Sequence, residues 1–251
     1  MKVVSVSDKG LVRTNNEDCL SVFSVGKDDC FVIADGMGGH AAGELASKTA
    51  VEYVEQSLND YLFEADDDQK LKKLLTFTLE KANVKVYLAS LGSFRYRGMG
   101  TTLLVAVVRD KRLYISHIGD CRAYHLHGQR MKRLTTDHTL VQRMIEKGMI
   151  TEEEAKTHPK RHVLLRSLGV NEYVKPDTFS VEISNGDVIL LCSDGLYGCV
   201  EDKTIRAVLR KHKDLNYCMQ LLRDLANAAG APDNISMILV ETEIRKYKEK
   251  T

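Results

Sequence analysis

Phe31-Val32-Ile33-Ala34-Asp35-Gly36-Met37-Gly38-Gly39-His40 is the stretch around which the chain is organised. The apolar run from Phe31 to Ala34 is the mark of a buried strand, and Asp35 stands where that strand is expected to stop. Gly36, Gly38 and Gly39 carry no Cβ, so the backbone can turn sharply and come close to whatever binds beside the carboxylate.

Working outward, 2–6 and 19–25 alternate as short strands around a polar turn. Downstream the period changes. Val51, Val54, Leu58 and Leu62 fall on one face of an amphipathic helix over 41–62. Asp66, Asp67 and Asp68 break it and read as a solvated loop. Leu71, Leu74, Leu75, Thr78, Ala82, Val86 and Ala89 mark a second helix, expected to neighbour the first.

From Gly100 strands dominate, at 101–109, 112–118, 121–126 and 131–134, with connections of a few residues that favour antiparallel hairpins over parallel crossovers. Two short helices follow. Asp137 is placed to cap the first and Gly148 to end it, while Thr151 and Glu154 form a capping box for the second. Glu152, Glu153 and Glu154 at that helix start would repel phosphate, which argues against a DNA-binding helix pair. Strands at 174–183 and 187–192, helices at 202–212 and 215–229 and a strand at 235–241 complete a single domain over 1–242. The charged tail 243–251 is expected to fray. This order suits antiparallel sheets covered by helices rather than a wound βαβ fold.

With 43% hydrophobic and 28% charged residues over 251 positions, the chain can bury a sizeable core. A net charge of +1 gives no overall attraction for nucleic acid or anionic membrane. No apolar run reaches the roughly 18 residues of a membrane span, and 1–10 lacks a signal-peptide pattern, so a cytoplasmic protein is expected. The six cysteines are scattered, without zinc-site or disulfide spacing, and are read as reduced and buried. His117, His125 and His127 alternate along strands with no carboxylate pattern around them, so packing rather than ligation is expected of them.

Asp35, Asp120, Asp194 and Asp233 occupy equivalent places at strand ends. One such aspartate is an ordinary turn residue or cap. If the four strand ends converge, however, their carboxylates cannot all stay ionised without cations, and an all-oxygen donor set selects Mg²⁺ or Mn²⁺ over zinc. Upstream, Glu17 and Asp18 open a strand, and Arg13 offers a planar fork suited to two phosphate oxygens.

Seven pieces then fall in one order along nearly the whole chain. They are Ser7-Asp8-x-Gly10-x-x-Arg13-x-x-Asn16-Glu17-Asp18, Ala34-Asp35-Gly36-Met37-Gly38-Gly39-His40, Met99-Gly100-Thr101-Thr102, Ile118-Gly119-Asp120-x-Arg122, Leu134-Thr135-x-Asp137-His138, Cys192-Ser193-Asp194-Gly195-Leu196 and Asp233-Asn234-Ile235-Ser236. In these the chain resembles the metal-dependent serine/threonine protein phosphatases (the PPM family, type 2C), and their compact bacterial branch in particular. The resemblance implies an α+β fold, a four-layer αββα sandwich of two antiparallel sheets flanked by helix pairs. It implies two Mn²⁺ or Mg²⁺ ions, with room for a third. Asp35 would bridge the two ions, Asp194 and Asp233 would hold the first, and the Gly36 carbonyl would bind the second. Glu17 and Asp18 would bind the second ion's waters, Asp120 with Asp194 would serve a third, and Arg13 would grip the substrate phosphate. Hydroxide shared by two cations would attack phosphorus in line, without a covalent enzyme intermediate.

The segment from about 139 to 171 would be a flap beside the site. The partners implied are phosphoserine and phosphothreonine proteins, opposed by a cognate serine/threonine kinase, with neither nucleic acid nor membrane and with the chain as a monomer. A regulatory relative that binds phosphoproteins without turnover, or a phosphohydrolase of small esters, are the rival readings. The presence of every core acid counts against the first of these. Met37 stands where eukaryotic members resemble histidine, and a thioether cannot donate a proton. The leaving-group acid is then a metal-bound water, with His40 as the alternative. Gly198, His162 and Pro232 are further departures, expected to tune access or rigidity.

Overall fold

The computed structural model describes residues 1–38 and 41–243. The chain runs through strands β1 (Lys2–Asp8), β2 (Asp18–Val25) and β3 (Asp28–Met37), then helices α1 (Ala41–Tyr61) and α2 (Asp68–Leu91). Strands β4 (Gly100–Thr101), β5 (Leu103–Arg109), β6 (Arg112–Ile118), β7 (Arg122–His127) and β8 (Arg130–Arg133) follow. After them come helices α3 (Leu140–Glu146) and α4 (Glu152–Thr157) and strands β9 (Asp177–Glu182) and β10 (Val188–Cys192). Helices α5 (Asp194–Tyr197), α6 (Asp202–Lys211) and α7 (Leu215–Ala228) lead to β11 (Ile235–Glu241).

Two antiparallel sheets result, one in the order β1-β11-β10-β7-β8, the other β2-β3-β5-β6-β9 with β4 on the end of β3. Strand alternation builds the layers, because successive side chains point to opposite faces. On β5, Leu103, Val105 and Val107 join the core under α1 and α2, while Leu104, Ala106 and Val108 face the other sheet. On β10, Leu190 and Cys192 pack with α6 and α7, and Ile189 and Leu191 fill the layer between the sheets. Both faces of both central strands are covered, which explains their unbroken apolar runs. The four-layer αββα sandwich follows from that burial.

Three local expectations are corrected. β3 does not stop at Asp35 but continues to Met37, because Gly36 and Met37 pair with Thr101 and Gly100 of β4. The first short helix is capped by Thr139, whose hydroxyl accepts from the Gln142 N–H, and not by Asp137. Asp137 is instead taken by Arg122 at 2.7 Å. Asp66, Asp67 and Asp68 are not a bare loop: Asp67 caps α2 through the Lys70 N–H, and Asp68 receives Arg112 and the Tyr114 hydroxyl. The capping box of Thr151 and Glu154 forms as expected, and the six cysteines are free thiols, though Cys19 and Cys199 are only partly buried. Of the tail, 244–251 lies outside the described residues, as does His40. Among the described residues, no helix is long and apolar enough to cross a membrane.

Candidate metal centre

The ladder between β2 and β3 sets Asp18 opposite Asp35. The main chain of Asp35 is clamped by the two threonines after Gly100. Its N–H donates to Thr102 Oγ1 at 2.8 Å, and its carbonyl accepts from the Thr102 N–H at 2.8 Å and the Thr101 hydroxyl at 2.9 Å. The next N–H, that of Gly36, donates to the Glu17 carbonyl at 3.1 Å. A Cβ on Gly36 would run into the Glu17 and Gly43 carbonyl oxygens, so only glycine fits beside Asp35. Gly43, in the first turn of α1, has the same relation to the Glu17 side chain: a Cβ there would collide with Oε2.

The second sheet brings its own acids to this end. β10 ends at Cys192, and Ser193 leads into α5, whose first residue is Asp194. Ser193 Oγ donates to Asp18 Oδ2 at 2.7 Å and accepts from the Ser236 N–H at 3.0 Å, so one hydroxyl ties β10 and β11 to an acid of the other sheet. Asp233 stands just before β11, and Arg13 donates to its Oδ2 at 2.7 Å. Its neighbour Asn234 fastens the loop that carries Arg13 and Glu17. Its Oδ1 accepts from the Glu17 N–H at 2.8 Å, and its Nδ2 donates to the Lys9 and Asn15 carbonyls, both at 2.9 Å.

Asp120 follows β6 through Gly119, which adopts φ +100° and lies so close to Thr102 that a Cβ would clash with it. The Asp120 carbonyl accepts from the Tyr197 hydroxyl at 3.0 Å, and the Arg122 guanidinium sits 3.5 Å from the Tyr197 ring centroid. His138 backs the same turn: its Nδ1 accepts from the Gly119 N–H at 3.1 Å, and its Nε2 faces Asp177 at 3.1 Å.

Charge crowding shows in the acidities. Burial raises the Asp18 carboxyl to about 7, with the Asp194 and Asp233 charges adding to the rise against the opposing hydrogen bonds from Ser193 and Ser236. Burial likewise raises Asp120 to about 7, helped by Asp194 and Asp137. Asp35 rises well above the carboxylate range through burial, then through Asp18, Asp194, Asp120 and Asp233. Carboxylates that cannot all ionise, with oxygen as the only donor atom, suit hard divalent cations. The donor set therefore fits the ions implied by the motifs.

The segment 139–171 closes one side. It is held by backbone pairing of Thr139 with Leu164 and Thr101 with Leu168, and by the Asn83 amide, which donates to the Asn171 and Glu172 carbonyls and accepts from the Gly169 N–H. His162 Nδ1 lies 3.6 Å from Asp194 Oδ2, and that contact raises its pKa against the opposing effect of burial. Met37 Cε lies over Gly100, near the Leu168 carbonyl and Val170. Gly198 has its N–H on the Asp194 carbonyl at 2.7 Å, which leaves no room for a longer side chain's Cβ without a shift.

Arg13, Glu17, Asp18, Asp35, Gly36, Asp120, Asp194 and Asp233 are thus gathered at one end of the sandwich. The sequence reading assigned nothing to Gly43, Thr101, Thr102, Ser193, Tyr197 or Asn234. The threonines, Ser193 and Asn234 sit inside the quoted motifs, which was the available signal. Gly43 had only the oddity of a glycine near a helix start.

A family model described as protein phosphatase 2C matches residues 12–239. The serine/threonine phosphatase stp of Listeria innocua is 35% identical over 241 residues, covering 95% of this chain and 94% of that protein. The crystal structure of serine/threonine phosphatase Stp1 from Staphylococcus aureus superposes with TM-score 0.91 at 32% identity, over 96% of this chain and 95% of that one. The catalytic domain of serine/threonine protein phosphatase PstP, solved in complex with two manganese ions, gives TM-score 0.82 at 34% identity, over 96% and 97% of the two chains. With a matching model across most of its length and relatives of this similarity and coverage, the chain belongs to the protein phosphatase 2C family.

Proposed function

We propose that the chain is a Mn²⁺- or Mg²⁺-dependent protein phosphatase that hydrolyses phosphoserine and phosphothreonine. The observation that carries this is the convergence of Asp18, Asp35, Asp120, Asp194 and Asp233 into one mutually repelling oxygen-donor cluster, Asp120 buried and the others partly so, with Arg13 beside it. In this reading Asp35 would hold both cations, Asp194 and Asp233 the first, and the Gly36 carbonyl the second. Glu17 and Asp18 would hold the second ion's waters, and Asp120 with Asp194 would take a third ion. When bound, the cations supply Lewis acidity that lowers the pKa of water in the pocket and offsets charge on the phosphoryl oxygens.

The chain's own residues do the rest. Arg13 is half-exposed at the rim, so its guanidinium can leave Asp233 for two phosphate oxygens and orient the ester. Ser193 holds the Asp18 carboxylate and Asn234 the main chain of Glu17 before substrate arrives, which avoids reorganisation during the reaction. The segment 139–171 acts as the flap governing substrate access, and 1–242 is one catalytic domain. Because phosphoserine and phosphothreonine must be made by a kinase of matching specificity, such a kinase is the expected opposing enzyme. We infer a cytoplasmic monomer.

Mn²⁺-dependent phosphate release from a phosphothreonine peptide, compared with a small phosphoester, tests this reading. Asp35→Ala and Asp194→Ala are expected to abolish release. No turnover of either substrate by the intact chain would overturn it, and a strong preference for the small ester would move the substrate class.

A further inference from the structure

A second cluster of metal-ligating groups lies at the opposite end of the same sheet. β7 and β10 each run roughly 20 Å between the carboxylate cluster and this pole. His125 and His127 are two residues apart on β7 and therefore share a face. β10 pairs antiparallel with β7, Ile189 opposite His125 and Val188 opposite Leu126, and one further step of that register brings Asp187 opposite His127. The result is convergent: His125 Nε2 lies 2.7 Å from Asp187 Oδ2, and His127 Nδ1 lies 2.8 Å from Asp187 Oδ1.

We propose that His125, His127 and Asp187 form a separate metal site that takes a divalent cation of the zinc class. Two imidazole nitrogens and one carboxylate oxygen, all within 4.8 Å of one another, are a borderline donor set, unlike the all-oxygen cluster at the other pole. Zinc ligands at about 2.0–2.1 Å from the ion stand about 3.3 Å apart in a tetrahedron, so only a small closing movement is needed. His127 can make it, since its side chain is 65% exposed, and that exposure is also the entry path.

Asp187 is built to stay still. Its carboxylate is 4% exposed and accepts from the Ser184 N–H at 2.8 Å, while its carbonyl accepts from the Thr242 N–H at 2.9 Å and the Thr242 hydroxyl at 3.1 Å. Metal entry replaces the two imidazole–carboxylate hydrogen bonds. The proton on each facing nitrogen moves to the other ring nitrogen, or to solvent if the ring was cationic, and water completes the coordination. The cross-strand neighbours Lys132 and Arg130 are exposed and keep their charges in solvent.

The other group, His117, His138 and Asp177, is less free to change partners: His138 Nδ1 already accepts from the Gly119 N–H, which leaves its Nε2 protonated toward Asp177.

The test uses Zn²⁺ alone, counted by equilibrium dialysis on the full chain carrying Asp35→Asn and Asp194→Asn, which weaken the first centre. In that background we expect one zinc per chain at the His/Asp site and a zinc-dependent rise in melting temperature. His127→Arg keeps a cationic partner for Asp187 but offers no ligand, and His127→Ala removes both. Each is expected to lose that zinc, with affinity at least about tenfold weaker, and to lose the thermal shift. Unchanged zinc stoichiometry and affinity in His127→Arg would overturn the proposal, because the histidines would then serve only as charge partners of Asp187.

Discussion

Asp18 stands directly across β2 and β3 from Asp35, two acids of one ladder whose carboxyls are both raised by burial first and by neighbouring negative charge after it. Like charges opposite one another weaken a sheet. Strands tolerate such a pair when the acids are protonated or when cations sit between them, and this makes metal-free stability depend on pH. Below the ordinary carboxylate value of 3.8 both folded and unfolded chains hold the protons. Between that value and about 7 the unfolded chain has released them, while folded Asp18 and Asp120 still bind theirs. Folding therefore takes up protons, and the contribution of these groups to stability falls as pH rises through this window. Thermal melts of the metal-free chain from pH 4 to pH 8 should show the fall, of several kcal/mol for the two groups together. Asp18→Asn should lessen it, leaving the part due to Asp120, and saturating Mn²⁺ should remove it. A slope unchanged in Asp18→Asn would mean that other groups carry the pH dependence.

Arg13 spans the rim to Asp233 with one charge-assisted bond. If its fork is used on phosphate, Arg13→Ala should raise KM for a phosphopeptide by about 10–100-fold, as expected for the loss of a hydrogen bond to a charged group, with a smaller effect on kcat. Arg13→Lys should recover only part of this, because an ammonium cannot bind two oxygens in a plane. Steady-state kinetics at saturating Mn²⁺ decide the matter; an unchanged KM contradicts the assigned role.

Gly43 belongs to a helix, where alanine is ordinarily favoured over glycine by roughly 1 kcal/mol. Gly43→Ala should nonetheless impair the enzyme, since the added methyl meets the Glu17 carboxylate. We expect the Mn²⁺ concentration for half-maximal activity to rise by about tenfold or more, with the melting temperature of the metal-free chain little changed. A variant with wild-type metal dependence would show that Glu17 can move aside without cost.

Asn83 is buried on α2 and ties down the chain around 169–172, donating to the Asn171 and Glu172 carbonyls and accepting from the Gly169 N–H. Asn83→Ala leaves those backbone groups without partners, at a cost of about 2–4 kcal/mol in global stability. Limited proteolysis should then cut within 139–171 faster than in the parent chain. Equal cleavage rates would place the anchorage of 139–171 elsewhere, in Arg166 with Asp177 for example, where the ion pair is 2.7 Å.

Most of the elements were legible in the sequence, because strand and helix periodicities are local. The apolar run of β5, the Leu71, Leu75, Ala82 and Val86 face of α2 and the capping box of Thr151 and Glu154 need only near neighbours to be read. The acids of the site were legible as residue types at strand ends, and their order along the chain carried the family resemblance. Partnership was not legible where a residue has two possible uses. Asp137 could cap α3 or pair with Arg122, and the guanidinium won, so Thr139 became the cap. Strand pairing likewise depends on burial between segments far apart in sequence. Tertiary structure alone set Asp18 against Asp35, continued β3 onto β4 and brought Asp187 to His125 and His127 from 60 residues away or more. A side chain's type is written in the chain, but the dielectric around it and the charge opposite it exist only once the sheets have closed.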